Sequence, residues 1–310
     1  MSIINVNGLT KQFGSIAAVN NLSFSVEKGS VCGFLGQNGA GKSTTIRMLL
    51  TLIRPTSGSI EIFGHNLLTH RSEILKNIGA VIEKPDVYPY LSAYDNLKLF
   101  ARLSGFKPTA TRLKDILELV GLADRARDKV KIYSQGMKQR LGLAIALVHD
   151  PEIIILDEPT NGLDPQGIAD IRNLIVRLSR DLKKTVLVSS HLLSEIEQMA
   201  THVLIIDKGR KLVDGPSASL FDPSKTIVEL ETLDPSFTRQ QILNSPYGGN
   251  LMDDRDSSLV LQINRNEIPG LSRHLVTHGV DLVRLQPRHS LEDYFLQITN
   301  QNTDADTYTD

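Results

Sequence analysis

The stretch "GFLGQNGAGKST", Gly33 to Thr44, constrains this chain more than any other, because it demands a strand, a glycine turn and a helix in that order. The apolar run "VCGFLG" leads into Gly36, Gln37, Asn38, Gly39, Ala40, Gly41, Lys42 and Ser43, which fits G-x-x-x-x-G-K-[ST], and the helical "TTIRMLL" begins at Thr44. Glycines let the backbone wrap closely around a polyphosphate, with its N–H groups and the helix N-terminus pointing inward. On this reading Lys42 reaches the β and γ phosphates and Ser43 holds Mg²⁺, with Gly36 to Thr44 forming the nucleotide contact set. An ordinary glycine-rich turn is the bland alternative, and the strand-loop-helix context argues against it.

A second element is "EIIILDEP". Asp157 ends an apolar strand, where open α/β sheets bind ligands, and can take up Mg²⁺; Glu158 can orient and deprotonate a water attacking the γ-phosphate. His191 closes the neighbouring apolar run "TVLVSSH", so it is expected on the same rim as Gly36 and Asp157, touching the γ-phosphate.

The stretch "KIYSQGMKQRLGLAIAL" turns from a polar knot into a helix with Leu141, Ile145 and Val148 expected on one face. Lys131, Lys138 and Arg140 lie around its N-terminus, the positive end of the backbone dipole, at a cost of roughly a few tenths of a kcal/mol each. Ser134 can cap this helix, and Gly136 allows close approach, so Ser134, Gln135 and Gly136 make a second phosphate cradle. One ATP needs one cradle. Two copies packed head to tail would let each serine turn close over the γ-phosphate held by the other copy's Lys42, making ATP the glue of a homodimer.

Around these motifs the chain reads as an α/β fold. "IINVNGLTKQF", "LSFSVEKG" and "GSIEIFG" look like antiparallel strands; from "ILKNIGAVI" the pattern changes, and mostly helical segments between Pro85 and Asp150 give a helical insertion at about 85–150. "VCGFLG", "EIIILD" and "TVLVSSH" suit a parallel core sheet covered on both sides. "GRKLVDGPSASLFDPSKT" reads as a Gly, Pro and Ser-rich connection to a small α+β C-terminal domain at 221–299, followed by a disordered tail at 300–310.

Formal net charge is −1, so no overall basic field is available for nucleic acid, and none is expected as a partner. The one cysteine, Cys32, sits in an apolar run and reads as a small buried hydrophobe of a reducing compartment. "MSIINVNGLTK" lacks the charged and apolar regions of a signal peptide, and the longest apolar run, "LGLAIALV", falls short of the ~20 residues that span a bilayer. The expectation is a cytoplasmic chain that reaches the membrane through a partner.

In this order the motifs resemble the nucleotide-binding subunits of ATP-binding-cassette (ABC) transporters, from about Ile3 to Leu220. The resemblance implies that "YSQGM" corresponds to the signature Leu-Ser-Gly-Gly-Gln, that "NGLDP" with Asp164 links the two sites, and that His191 is the switch histidine. Phe13 falls where the family stacks an aromatic on adenine; a core aromatic is the other reading. Gln135 and Met137 depart from the signature, and Glu83 stands where the family usually has glutamine, as a further nucleotide contact and Mg²⁺ ligand that brings negative charge. Glu83 and the closing "HSLEDYFLQIT" are similar to the branch that exports drugs and antimicrobial peptides of bacitracin and lantibiotic types.

The resemblance therefore implies an ATPase that dimerises on ATP and Mg²⁺ and drives a membrane-spanning permease docked near residues 83–97. A soluble cassette ATPase acting on ribosomes or DNA is the alternative; such proteins usually fuse two cassettes or insert long coiled coils, and this sequence shows one cassette and no sustained heptads. No Asn-Lys-x-Asp guanine-reading motif appears.

Overall fold

Alternating burial shapes the first sheet of this computed structural model, which describes residues 1–83, 85–220, 224, 226–252 and 258–288. Strands β1 (Ser2–Phe13) and β2 (Ile16–Glu27) pair antiparallel, and Ile4, Val6, Leu9, Leu22, Phe24 and Val26 turn to the core. Strand β3 (Val31–Leu35) and helix α1 (Lys42–Leu49) follow, then β4 (Ser57–Ile62) and β5 (His65–Asn66), which complete the order β2-β1-β4-β5.

The stretch around "ILKNIGAVI" lies before the helical segment. It forms the short helix α2 (Arg71–Leu75) and then strand β6 (Ile78–Val81), which pairs parallel at the edge of the main sheet. Gly79 fits there because a Cβ would meet the Ala146 carbonyl oxygen at 2.0 Å. Helices α3 (Ala93–Leu103), α4 (Ala110–Leu119) and α5 (Gln135–Leu147) come next, capped by Ser92, Thr109 and Ser134 respectively.

Helix α5 corrects the one-face expectation. Leu141 is buried and Ile145 only half-buried, while Leu143, Ala144, Ala146 and Leu147 are buried as well, so the helix is covered nearly all round. Lys131 also moves out of its first turn into the preceding Val130–Ile132 turn, and Arg140 faces Asp170 at 3.9 Å.

The remaining elements of this unit are β7 (Ile153–Asp157), α6 (Pro165–Arg180), β8 (Thr185–Ser190), α7 (Leu193–Met199), β9 (His202–Asp207) and β10 (Arg210–Pro216). The main sheet runs β10-β9-β3-β8-β7-β6, parallel from β9 through β6. Strands β3, β7 and β8 are buried along their whole length, and each fully buried Ile, Val or Leu contributes about 1.5–3 kcal/mol. Their carboxyl ends lie side by side, with Leu35 opposite Ser190 and Asp157 opposite Ser189.

Strand β10 corrects a second expectation, since "GRKLVDGP" is edge strand rather than connection. Lys208 and Gly209 both take positive φ, 44° and 76°, which matches the tight hairpin turn that folds β10 back on β9.

The chain divides into two units, Met1–Ser217 and Ala218–Asp310, with the four-residue helix α8 (Ser217–Leu220) at the division. The second unit comprises β11 (Thr226–Thr232), α9 (Pro235–Leu243), β12 (Leu259–Ile263), α10 (Ile268–Thr277) and β13 (Leu282–Arg288). Its antiparallel sheet has the order β12-β11-β13, and Val228, Leu230, Leu261, Leu271 and Leu275 build its own core. The tail at 300–310 and "HSLEDYFLQIT" lie outside the described residues.

Candidate nucleotide site

Strand β3 ends at Leu35 and the chain wraps through Gly36 to Gly41 before α1 begins. A Cβ on Gly36 would meet the Ile206 carbonyl oxygen at 2.6 Å, and Gly41 holds φ 104° with the Ala18 carbonyl oxygen in the same tight relation. Only glycine satisfies both positions. Gly41 caps α1 without a side-chain hydrogen bond, and the first turn of α1 holds no acid. Its N–H groups therefore face a cavity of about 180 Å³ lined by Ala18, Gln37, Asn38, Gly39, Gly41, Lys42, Ser43, Thr44 and Glu158, where an anion would be favoured. Ala40 is buried beneath the loop.

Lys42 is buried and folds back over the loop, donating to the Gly36 carbonyl oxygen at 2.6 Å and the Gln37 carbonyl oxygen at 3.2 Å. Its Nζ also lies 3.3 Å from Glu158 Oε1. The other Glu158 oxygen, Oε2, meets His191 Nδ1 at 2.7 Å. Glu158 itself sits at φ 49°, a left-handed turn just past β7. Of the three residues read as catalytic from the sequence, Glu158 thus touches both Lys42 and His191.

Asp157 is buried at the end of β7. Its Oδ1 accepts from Ser189 Oγ at 2.6 Å, whereas Oδ2 has no hydrogen-bond partner among the described residues. An orphaned carboxylate oxygen beside a phosphate cradle fits a cation ligand. Ser189 Oγ also accepts from the Glu158 N–H at 2.9 Å, so one hydroxyl orients both acidic residues.

Glu83 follows β6, which runs parallel beside β7. It takes φ 57°, is 64% exposed, and its carboxylate takes up the Arg47 guanidinium of α1, so the charge it brings is neutralised within the chain. Phe13 is 51% exposed rather than a core aromatic, with Lys11 Nζ 5.0 Å from its ring centroid. Asp164 caps α6 by accepting from Gly167 N–H at 3.1 Å. Ser134 caps α5 through Met137 N–H at 3.2 Å; its neighbour Gln135 reaches across to donate to the Asn161 carbonyl oxygen at 3.2 Å. Gly136 has open space where a Cβ would stand, apart from Ser134 Oγ at 4.0 Å.

Three residues that bear on the site escaped the sequence reading. Ser189 lies one place inside the apolar run, Thr160 follows the acidic pair, and Glu195 is a buried acid on α7 that accepts from Thr160 Oγ1 at 2.6 Å. The two serines closing the apolar run "TVLVSS" were the available signal for Ser189; Thr160 and Glu195 carried none.

The family described as "ABC transporter" matches residues 19–161. The chain is similar to the bacitracin transport ATP-binding protein BcrA of Bacillus licheniformis, 40% identical over 97% of this chain and 99% of the relative. It is also similar to the lantibiotic transport ATP-binding protein SrtF of Streptococcus pyogenes, 39% identical over 74% of this chain and 95% of the relative. Its fold is like that of a dimeric ATP-binding cassette solved in a post-hydrolysis state with ADP and Pi, at TM-score 0.62 and 24% identity, covering 69% of this chain and 98% of that one.

Proposed function

The chain belongs to the ATP-binding subunits of ABC transporters, and on that premise we propose that it powers export of a bacitracin-type peptide antibiotic through a separate membrane-spanning partner. The observation that carries this reading is the extent of the likeness. The bacitracin-type relative matches 97% of this chain, second unit included, whereas the lantibiotic-type relative matches 74%.

ATP is the substrate, hydrolysed to ADP and phosphate. The loop Gly36 to Thr44 cradles the phosphates, Lys42 exchanges its carbonyl contacts for phosphate oxygens, and Phe13 offers an exposed face to adenine. Ser43 and Asp157 would hold Mg²⁺, which when bound neutralises charge on the triphosphate. Glu83, held by Arg47, is the weaker candidate ligand. Glu158 orients the attacking water and accepts its proton, while His191 steadies that carboxylate and faces the γ-phosphate.

In the dimer each copy's Ser134 and Gly136 close over the other's γ-phosphate, with Asp164 in the loop between the sites. ATP binds the closed pair better and so shifts the population toward it. Among the described residues no helix is long and apolar enough to cross a membrane. The subunit works at the cytoplasmic face through a separate permease. The segment 83–97 would receive that partner.

Deleting the gene in its host, then restoring either the parent or Glu158→Gln, tests the reading. Restored bacitracin tolerance with the parent alone, and a polytopic membrane protein co-purifying from detergent extract, are expected. Unchanged tolerance on deletion would overturn the assignment of cargo.

A further inference from the structure

Glu195 is a carboxylate with no part in the chemistry described so far, yet it is only 6% exposed. Burying a carboxylate is costly unless hydrogen bonds compensate. It accepts from Thr160 Oγ1 at 2.6 Å, the short distance of a charge-assisted bond, and from Ser190 Oγ at 3.3 Å.

Those two hydroxyls belong to different turns. Thr160 lies two residues past Glu158, in the turn where Asn161 N–H donates to the Glu158 carbonyl oxygen at 3.2 Å. Ser190 directly precedes His191, in the turn where Leu192 N–H donates to Ser190 Oγ at 3.0 Å. The side chains these turns present, Glu158 and His191, meet at 2.7 Å. Glu195 thus bridges behind the pair whose front faces the nucleotide.

We propose that Glu195 is a positioning residue for ATP hydrolysis, clamping the Glu158 turn to the His191 turn through Thr160 and Ser190. The proposal rests on Glu158 and His191 acting as read above. Because Glu195 is reached through the backs of both turns, the clamp serves the hydrolytic step and leaves nucleotide affinity to the glycine loop and Lys42. A misplacement of about 1 Å in such a pair costs on the order of 10²-fold in rate.

The test replaces both partners of the short bond by apolar groups of similar size, Thr160→Val with Glu195→Leu, because a matched apolar pair is close to neutral for stability, and the Ser190 hydroxyl that also donates to Glu195 keeps the Leu192 carbonyl oxygen as an acceptor at 3.4 Å. A merely structural role would leave such a double variant fully active. The clamp instead requires an unchanged thermal midpoint and an unchanged KM for ATP, with kcat in a phosphate-release assay lowered roughly 10- to 100-fold. Parental kcat would overturn it. Should the double variant not fold, Thr160→Val alone carries the test, with lowered kcat expected at constant KM and recovery in Thr160→Ser, which keeps the hydroxyl. Thr160→Val at parental kcat contradicts the clamp. Glu158→Gln run alongside separates the two readings: if it is inactive while the clamp variants are normal, only the clamp fails; if it hydrolyses at the parental rate, the reading of the site fails with it.

Discussion

His191 Nδ1 lies 2.7 Å from Glu158 Oε2, while the second oxygen of that carboxylate faces Lys42 Nζ at 3.3 Å. Glu158 therefore joins the group proposed to bind phosphate to the group proposed to sense it. On the proposed reading, an incoming triphosphate would take Lys42 from Glu158 and free one carboxylate oxygen to meet water, while His191 would keep the other in place.

Removing the cation from this arrangement is expected to act on binding. Lys42→Ala deletes a charge-assisted contact worth about 1.5–3 kcal/mol, so ATP affinity is expected to fall roughly 10- to 150-fold in a fluorescent-nucleotide titration. Unchanged affinity would remove Lys42 from the phosphate site.

Ser189 supports Asp157 from behind, donating at 2.6 Å to one oxygen and leaving the other without a partner. Ser189→Ala is expected to raise the Mg²⁺ concentration for half-maximal ATPase activity about 10- to 100-fold, the usual effect of losing an outer support of a metal ligand. A parental Mg²⁺ dependence would mean that Asp157 does not hold the ion.

These contacts mark where sequence reading succeeds and stops. The glycine loop is contiguous, so spacing alone carries Gly36 to Ser43, and the buried run before Asp157 announces its strand. Glu195 and Thr160 are 35 residues apart, and Arg47 and Glu83 are 36 apart, so only the packed sheet and helices bring each pair together. The one-face pattern assigned to α5 missed how deeply Leu143, Ala144 and Ala146 are covered, and Gly and Pro near β10 concealed an edge strand that needs only a hairpin turn.

Ser134 has two separable duties. As the cap of α5 its loss in Ser134→Ala costs about 1 kcal/mol of stability, read from denaturant midpoints. Ser134→Arg is expected to abolish turnover while the isolated subunit binds ATP as before. Loss of that affinity would show that the turn serves its own chain's nucleotide.

His149 gives the first unit an acid sensitivity. Burial holds its pKa below the ordinary 6.5, with Arg112 and Lys184 adding to the effect and the Ile78 carbonyl and Asp150 opposing it. The unfolded chain therefore takes up a proton that the folded chain refuses, so this stability is whole above pH 6.5 and is lost as pH falls below it. Thermal midpoints between about pH 8 and about pH 5.5 should fall more steeply in the parent than in His149→Gln, whose amide can still reach the Ile78 carbonyl oxygen. Equal slopes would contradict the half-buried imidazole's resistance to protonation.

The most direct measurement concerns the proposed sharing of nucleotide between two copies. Glu158→Gln keeps the cradle and removes the base, slowing hydrolysis by roughly 10²- to 10⁴-fold. With ATP and Mg²⁺ this variant is expected to elute from a calibrated sizing column as a dimer and to return to monomer when nucleotide is withdrawn. A variant that binds ATP yet stays monomeric at every concentration tested would contradict the account.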